Sequence, residues 1–452
     1  MHKKPNILLI LTDDQRFDTI GALGNPYVHT PHMDSLVASG TAFERCHIMG
    51  GTRPAVCCPS RAMLHSGRNL FHLENHGAQI PSAHTTIGEH LQEHGYRTYG
   101  IGKWHNGREA FQRSFTGGGS IYFGGMADHW HVDCNDFDPS GAYREEDRTS
   151  RDGQHSTDFC ADEAIRLLHE HDQSQPFFMS LNFLAPHDPR VMPERYPERY
   201  QASPPPVPEN FLPAHPFDNG ELRVRDEKLA EFPRSRAEIR RHLSEYYAMI
   251  DHLDDALGRV FAELNANNMR ENTIIIFSGD NGLAVGQHGL MGKQSCYDHS
   301  LRVPLIINGP GIPQGAKRQQ LCYLHDVFPT VCSALAIPCP ASVTSRSLWP
   351  TVINDQPHRI SLFGAYKDYC RSVTSDDGWK LIITTPNTLE LHRQLFYLPD
   401  DPHEQFNRIN DRECPDDILN ELQEKLITTS TAEQDTWTQR NAFAARSQAI
   451  SA

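Results

Sequence analysis

The chain has 452 residues, and its 57 acids against 42 Lys and Arg give a net charge of −15. That balance argues against a binder of nucleic acid or of an anionic membrane, whose footprint is a basic face. With 38% hydrophobic and 22% charged residues the chain is neither fibrous nor disordered, and its length predicts one large domain with a small companion, or two to three medium ones.

Taken in chain order, the first feature is Lys3-Lys4 followed by Ile7–Leu11. It imitates an export signal, but five apolar residues are too few, and Thr12-Asp13-Asp14 stands where a cleavage site belongs. No run of 18 apolar residues occurs. The expectation is a cytoplasmic protein without a membrane span, periplasmic or secreted only if the chain is truncated. The eleven cysteines, from Cys46 to Cys414, form no CxxC pair and read as free thiols in a reducing compartment.

Residues 6–11 are apolar without alternation, the mark of a strand buried on both faces of a parallel sheet. Similar runs lie at 99–101, 177–183, 273–277 and 303–307. Between them, Thr30-Pro31 with Leu36, Val37 and Gly40 predicts a helix with a cap, a proline at its first position and a glycine stop. Thr86 and Glu89 form a capping box ahead of Gly95. The longest stripe, from Ile239 to Leu264 at 4-3-4-3-4-3-4 spacing, predicts one helix packed on the sheet. Residues 112–155 and 186–234 read as long irregular stretches, functional or mobile by their length. From residue 358, short strands at 371–373, 380–384 and 394–397 and an amphipathic stretch at 418–427 predict a small α+β subdomain, so the chain divides into 1–357 and 358–452. There are no internal repeats, and the tail after Thr428 is polar. Alternating strands and helices make the whole an α/β fold.

Two patterns carry chemistry. Residues 57–68, Cys-Cys-Pro-Ser-Arg-Ala-Met-Leu-His-Ser-Gly-Arg, read plainly as a proline-initiated helix with two buried thiols. They also read as a nucleophile at a helix N-terminus, where backbone amides favour an anion. Arg53, Arg61 and Arg68 lie nearby, with no acid between residues 51 and 70. Separately, Asp13-Asp14 and Asp280-Asn281 each follow a predicted parallel strand, and such strands bring their carboxyl ends to one edge, where ligand sites form. Three carboxylates and one amide oxygen suit Ca²⁺ or Mg²⁺ better than zinc.

The stretch from Cys57 to Arg68 resembles the signature of the type I sulfatases, C-x-P-S-R-x-x-L-x-x-G-R, through Cys57, Pro59, Ser60, Arg61, Leu64, Gly67 and Arg68. Gly102-Lys103-Trp104-His105, Ala185-Pro186-His187, the run from Gln287 to Lys293, and the segments 301–307, 378–382 and 395–404 resemble the same family in order, so the likeness spans about residues 5–410. The resemblance implies an alkaline-phosphatase-like fold, with a large mainly parallel sheet flanked by helices and a small C-terminal α+β subdomain. It implies that a maturation enzyme oxidises Cys57 to Cα-formylglycine, leaving Cys58 structural. It also implies Ca²⁺, with Mg²⁺ as the alternative, on Asp13, Asp14, Asp280 and Asn281.

By the same resemblance the catalytic set is Cys57, Arg61, Lys103, His105, His187 and Lys293. Lys103, His187, His288 and Lys293 would contact substrate. One hydroxyl of the hydrated aldehyde would attack sulfur, His187 would protonate the leaving oxygen with Lys293 as the competing donor, and His105 would remove the proton that lets sulfate depart. The expected substrate is a small sulfated saccharide, with Tyr122, His129, Trp130, His131, Arg190 and Arg195 offered by the two long stretches as contacts at the pocket mouth. Three other readings stand beside it: an aryl or alkyl sulfatase, a phosphonate or phosphate ester hydrolase of the same fold, and a non-catalytic binder of sulfated glycans. Oligomeric state is not legible in the sequence.

Overall fold

The computed structural model describes residues 4–386, 391–411 and 416–437; Cys414 and the polar tail from residue 438 lie outside them. Eight strands build the main sheet: β1 Asn6–Thr12, β2 Thr41–Phe43, β3 Arg97–Lys103, β4 Gly117–Tyr122, β5 Phe177–Asn182, β6 Thr273–Gly279, β7 Leu305–Asn308 and β8 Ala316–Arg318. Their order across the sheet is β8-β2-β7-β6-β1-β5-β3-β4. Strand β7 runs antiparallel to both its neighbours, and the other pairings are parallel.

Every residue of β1 is buried, as its apolar run without alternation requires. Its side chains alternate between two cores. Leu8 and Ile10 point to helices α1 Pro31–Ser39, α4 Ser156–Glu170 and α5 Arg236–Ala266. Ile7, Leu9 and Leu11 point to α2 Cys57–Ser66 and α3 Ile87–Glu93. Local signals fall where the sequence places them. Pro31 opens α1, both halves of the Thr86–Glu89 capping box form, and Gly67 ends α2 in the left-handed region with its N–H on the Met63 carbonyl.

The two long stretches are more ordered than their composition implies. Strand β4 lies inside 112–155, disguised by Gly117, Gly118 and Gly119. A side chain at Gly118, whose φ is +150°, would overlap the Gly100 carbonyl of the neighbouring strand. Segment 186–234 contains the helix Arg195–Ala202, which buries Tyr196 and Tyr200, and a 3₁₀ turn at Asp226–Leu229.

The second sheet is antiparallel: β9 Ser361–Tyr366, β10 Cys370–Ser375, β11 Trp379–Thr384 and β12 His392–Tyr397. Leu422 and Leu426 of helix α6, Asp416–Ala432, pack with Val373, Leu381 and Ile383. A fifth strand of this sheet comes from the other end of the chain, because Gly50-Gly51 pairs in parallel with Ala365-Tyr366 of β9. The ten cysteines among the described residues carry no disulfide, and no helix among those residues is long and apolar enough to cross a membrane.

Gly50 tests this junction. Its φ is +93° and an added Cβ would overlap the Ala365 carbonyl. Gly50→Val should therefore cost about 2–3 kcal/mol in urea melts; a change below about 0.5 kcal/mol would mean that the junction does not depend on this close approach.

Candidate active site

The carboxyl ends of the parallel strands deliver the site. β1 ends just before Asp13 and Asp14, β3 ends at Lys103, β5 leads to His187, and β6 leads to Asp280 and Asn281. Helix α2 supplies Cys57 as its first residue and Arg61 one turn on, and the loop after β6 supplies Lys293. The Lys103 ammonium lies 3.7 Å from Cys57 Sγ, and His105 Nδ1 lies 3.5 Å from the same sulfur. Arg61 Nε donates to Asp280 Oδ2 at 2.7 Å and its Nη1 to the Lys103 carbonyl at 2.7 Å. Lys103 pairs with Asp13, and Lys293 pairs with Asp14 at 2.5 Å.

The expected oxygen quartet is assembled. Asp14 N–H donates to Asp280 Oδ1 at 3.0 Å, and Asn281 Nδ2 donates to Asp14 Oδ1 at 2.8 Å. Asp13, Asp14 and His187 bring ligand atoms within 4.8 Å of one another, as do Asp13, Cys57 and Asp280. Asp14 and His105 adopt positive φ, a strained region that surrounding structure must hold. For Asp14 that hold is the Tyr246 hydroxyl, which donates to its carbonyl at 2.6 Å.

The electrostatics fit a bound cation. Burial pushes the Asp13 carboxyl up, but Lys103, His187, Arg61 and Lys293 outweigh it and hold Asp13 well below the usual range. Burial and the charge on Asp13 push Asp280 up to about 7. Three buried carboxylates thus crowd one site, each paired with one of Arg61, Lys103 and Lys293. The buried atoms Asp13 Oδ1 and Asn281 Oδ1 have no hydrogen-bond partner in the protein. Hard oxygen donors left unpaired among clustered carboxylates match a divalent ion.

The Cys57 thiol is not a ready nucleophile, contrary to the helix-terminus reading. Burial raises its pKa against the opposing pull of Lys103 and Lys293. Burial, with Lys103 and Arg61, pushes His105 down to about 2, so its ring is neutral. His187 is pushed down to about 4 by burial despite Asp14 beside it. His187 Nδ1 donates to the Asp188 carbonyl at 2.8 Å, which leaves Nε2 facing Asp14 Oδ2 at 3.6 Å.

A cavity of about 250 Å³ opens onto Cys57, His105, His187 and Lys293, and Pro54, Ala55, Gly125, Met126, Val224, Arg225, Asp226 and Gln294 complete it. His288 does not reach it. Its Nε2 bonds the Glu404 carbonyl at 2.9 Å and its ring stacks on Tyr297, because a positive φ turns it toward the second sheet. The expected mouth residues also lie elsewhere. Tyr122 bonds the Met126 carbonyl, His129 is buried behind the His187 carbonyl, and Trp130 packs on His155. His131 pairs with Asp152, Arg190 donates to His242, and Arg195 lies over Tyr196. Irregular chain looks alike in sequence whether it faces a pocket or packs on a neighbouring helix. Arg225 and Asp226 carry no motif, and only their place in a long proline-rich stretch marked them.

Comparison with known proteins agrees with this geometry. The sulfatase family matches over residues 5–337, and the C-terminal family of N-sulphoglucosamine sulphohydrolase matches over 286–432. An arylsulfatase of Clostridium perfringens is 27% identical over 97% of each chain. An N-acetylglucosamine-6-O-sulfatase of Bacteroides thetaiotaomicron is 25% identical over 78% of this chain and 72% of its own. A solved structure holding D-glucosamine-2-N,6-O-disulfate superimposes with a TM-score of 0.80, at 21% identity, over 96% of this chain and 99% of that one. The expected fold, a large mainly parallel sheet flanked by helices with a small C-terminal subdomain, is borne out.

Metal binding is directly testable. Adding Ca²⁺ to chelator-stripped protein should raise Tm, by an amount equivalent to about 2.7 kcal/mol at one hundred times Kd. Asp13→Asn should lose most of that gain. An equal gain in wild type and variant would place the ion elsewhere.

Proposed function

The chain belongs to the sulfatase family, a family of sulfuric ester hydrolases, and from that premise we propose that it cleaves a sulfate monoester on a mono- or oligosaccharide. The observation that carries this reading is a single cavity floored by Cys57, His105, His187 and Lys293, beside an oxygen cluster with unpartnered buried donors for a cation. The similarity to an N-acetylglucosamine-6-O-sulfatase supports a sugar as the alcohol component.

In this reading a maturation enzyme converts Cys57 to Cα-formylglycine, whose hydrate supplies two hydroxyls on one carbon, so that release of sulfate needs no attack by water on sulfur. Asp13, Asp14, Asp280 and Asn281 hold the divalent cation, Ca²⁺ by the chemistry of an all-oxygen set, and it supplies charge neutralisation at a sulfate oxygen.

The chain's own side chains do the remainder. Lys103 and Lys293 bind sulfate oxygens and take up charge as it develops. Arg61, spent on Asp280 and the Lys103 carbonyl, orients position 57. His105 is neutral and turns Nδ1 toward that position, so it accepts a proton there. His187 keeps one proton on Nδ1 for the Asp188 carbonyl, so it must first take up a second proton on Nε2, a form that the bound anionic ester and Asp14 favour, and that proton passes to the departing alcohol.

After co-expression with a maturation enzyme, mass spectrometry should find an aldehyde in place of the Cys57 thiol, and Cys57→Ala should reduce turnover of a sulfated monosaccharide to background. A thiol in fully active protein, or faster turnover of a matched phosphonate ester, would sink the reading. His187→Ala should cost about 10²–10⁴-fold on a sugar sulfate and far less on 4-nitrophenyl sulfate, whose phenolate leaves unprotonated. Equal losses on both esters would move the acid role to Lys293.

A further inference from the structure

One wall of the catalytic cavity comes from the proline-rich stretch: Val224, Arg225 and Asp226 line it together with Pro54 and Met126. Arg225 Nη1 lies 2.6 Å from Asp226 Oδ1, and its Nη2 contacts Asp188. The Arg225 side chain remains 45% exposed, whereas those of Asp188 and Asp226 are 6% and 10% exposed. Asp226 also accepts from Gln294 Nε2 at 2.6 Å. The segment is clamped in place. Glu227 accepts the backbone N–H groups of Met291 and Gly292 at 2.9–3.1 Å. Arg234 closes on Glu227 and donates to the Gly289 carbonyl at 2.8 Å. The clamp fastens this wall to the loop that carries Lys293, so its polar groups are held at a fixed offset from the sulfate-binding lysine.

We propose that Arg225 and Asp226 are the specificity pair of the enzyme, reading two neighbouring hydroxyls on the sugar ring that bears the sulfate. The proposal rests on the saccharide reading above. A guanidinium has five N–H donors and a carboxylate about four lone-pair sites, so each member keeps capacity beyond the bonds it already makes. A donor and an acceptor side by side match a vicinal diol, in which each hydroxyl both gives and accepts. Two carboxylates flank the single guanidinium, so its charge is already countered at this wall and neutral hydroxyls are preferred to a further anion. A cavity of about 250 Å³ falls below the ~300–1,000 Å³ of sites for drug-sized ligands. A volume of this size accommodates the single ring that bears the sulfate.

The test compares kcat/KM for the best pyranose sulfate from a positional panel with that for its carbocyclic counterpart lacking free hydroxyls, in matured wild type, Arg225→Met and Asp226→Asn. Matching the leaving alcohols keeps the proton-transfer step common to both substrates, and thermal melts verify that both variants are folded. Wild type should favour the sugar by about 10²-fold or more, since sites built to hydrogen-bond a hydroxyl reject analogues without it. Each variant should cut that ratio at least about tenfold. Sugar turnover with an unchanged ratio in both variants overturns the role of the pair alone. Hydrolysis of the carbocyclic ester with no sugar turned over overturns the saccharide reading and this inference with it. A wild-type preference for uronate sulfates that Arg225→Met abolishes overturns the diol assignment, because Arg225 then reads an anion.

Discussion

The Arg61–Asp280 ion pair is the fixed point of the site. Its 2.7 Å contact is sealed from solvent on both sides, and it joins the helix carrying Cys57 to the end of the strand carrying half of the oxygen cluster. The second bond of Arg61, to the Lys103 carbonyl, adds the end of a third element. Elements more than 200 residues apart in the chain therefore meet at one guanidinium. Such a pair adds little net stability, because desolvation offsets the attraction, but deleting one partner strands a buried charge at about 3–5 kcal/mol. Its contribution is registration: position 57 cannot drift relative to Asp280.

Around that point the charges balance in a way that invites a cation and an anion together. Asp13, Asp14 and Asp280 face Arg61, Lys103 and Lys293, and the two ammoniums rest on Asp13 and Asp14. A divalent ion held among the oxygens would supply the positive charge that those lysines now give to the aspartates, which would leave both ammoniums available to an anionic ester. The net charge of −15 is compatible with this because it is spread unevenly. Residues 396–424 alone contain nine acids and two arginines, whereas the stretch between residues 51 and 70 contains arginines and no acid.

Chemistry and selectivity are built from different parts of the fold. Apart from Lys293 on its loop, the candidate reacting groups sit close to strand ends or on the first turns of a helix, where backbone geometry is dictated by the sheet. The wall with Arg225 and Asp226 belongs to a long excursion between β5 and α5, fastened by the buried Glu227–Arg234 pair. An excursion outside the sheet can vary in sequence while the sheet edge keeps its form, which suits a scaffold that reads different alcohols beside the same sulfate.

Much of this was legible in the residues themselves. The apolar run at 6–11, the 4-3 stripe from Ile239 to Leu264 and the Thr86–Glu89 box reflect local periodicity and capping, which act over a few residues and so leave a mark in the sequence. The order of the motifs containing Asp13, Cys57, Lys103, His187, Asp280 and Lys293 pointed to a common sheet edge for the same reason, since each adjoins a recognisable strand or helix start. Strand β4 escaped notice because glycines carry no side-chain alternation, and the Gly50-Gly51 pairing because its partner lies more than 300 residues away. His288 and the aromatic residues of segment 112–155 were misplaced because a side chain's direction depends on what packs against it. The sequence by itself determined the chemistry available and the elements that carry it. The tertiary structure alone decided which polar groups share the cavity, that the Cys57 thiol is buried with its pKa raised, and that Arg225 and Asp226 line that cavity, because burial and long-range juxtaposition exist only once the chain has folded.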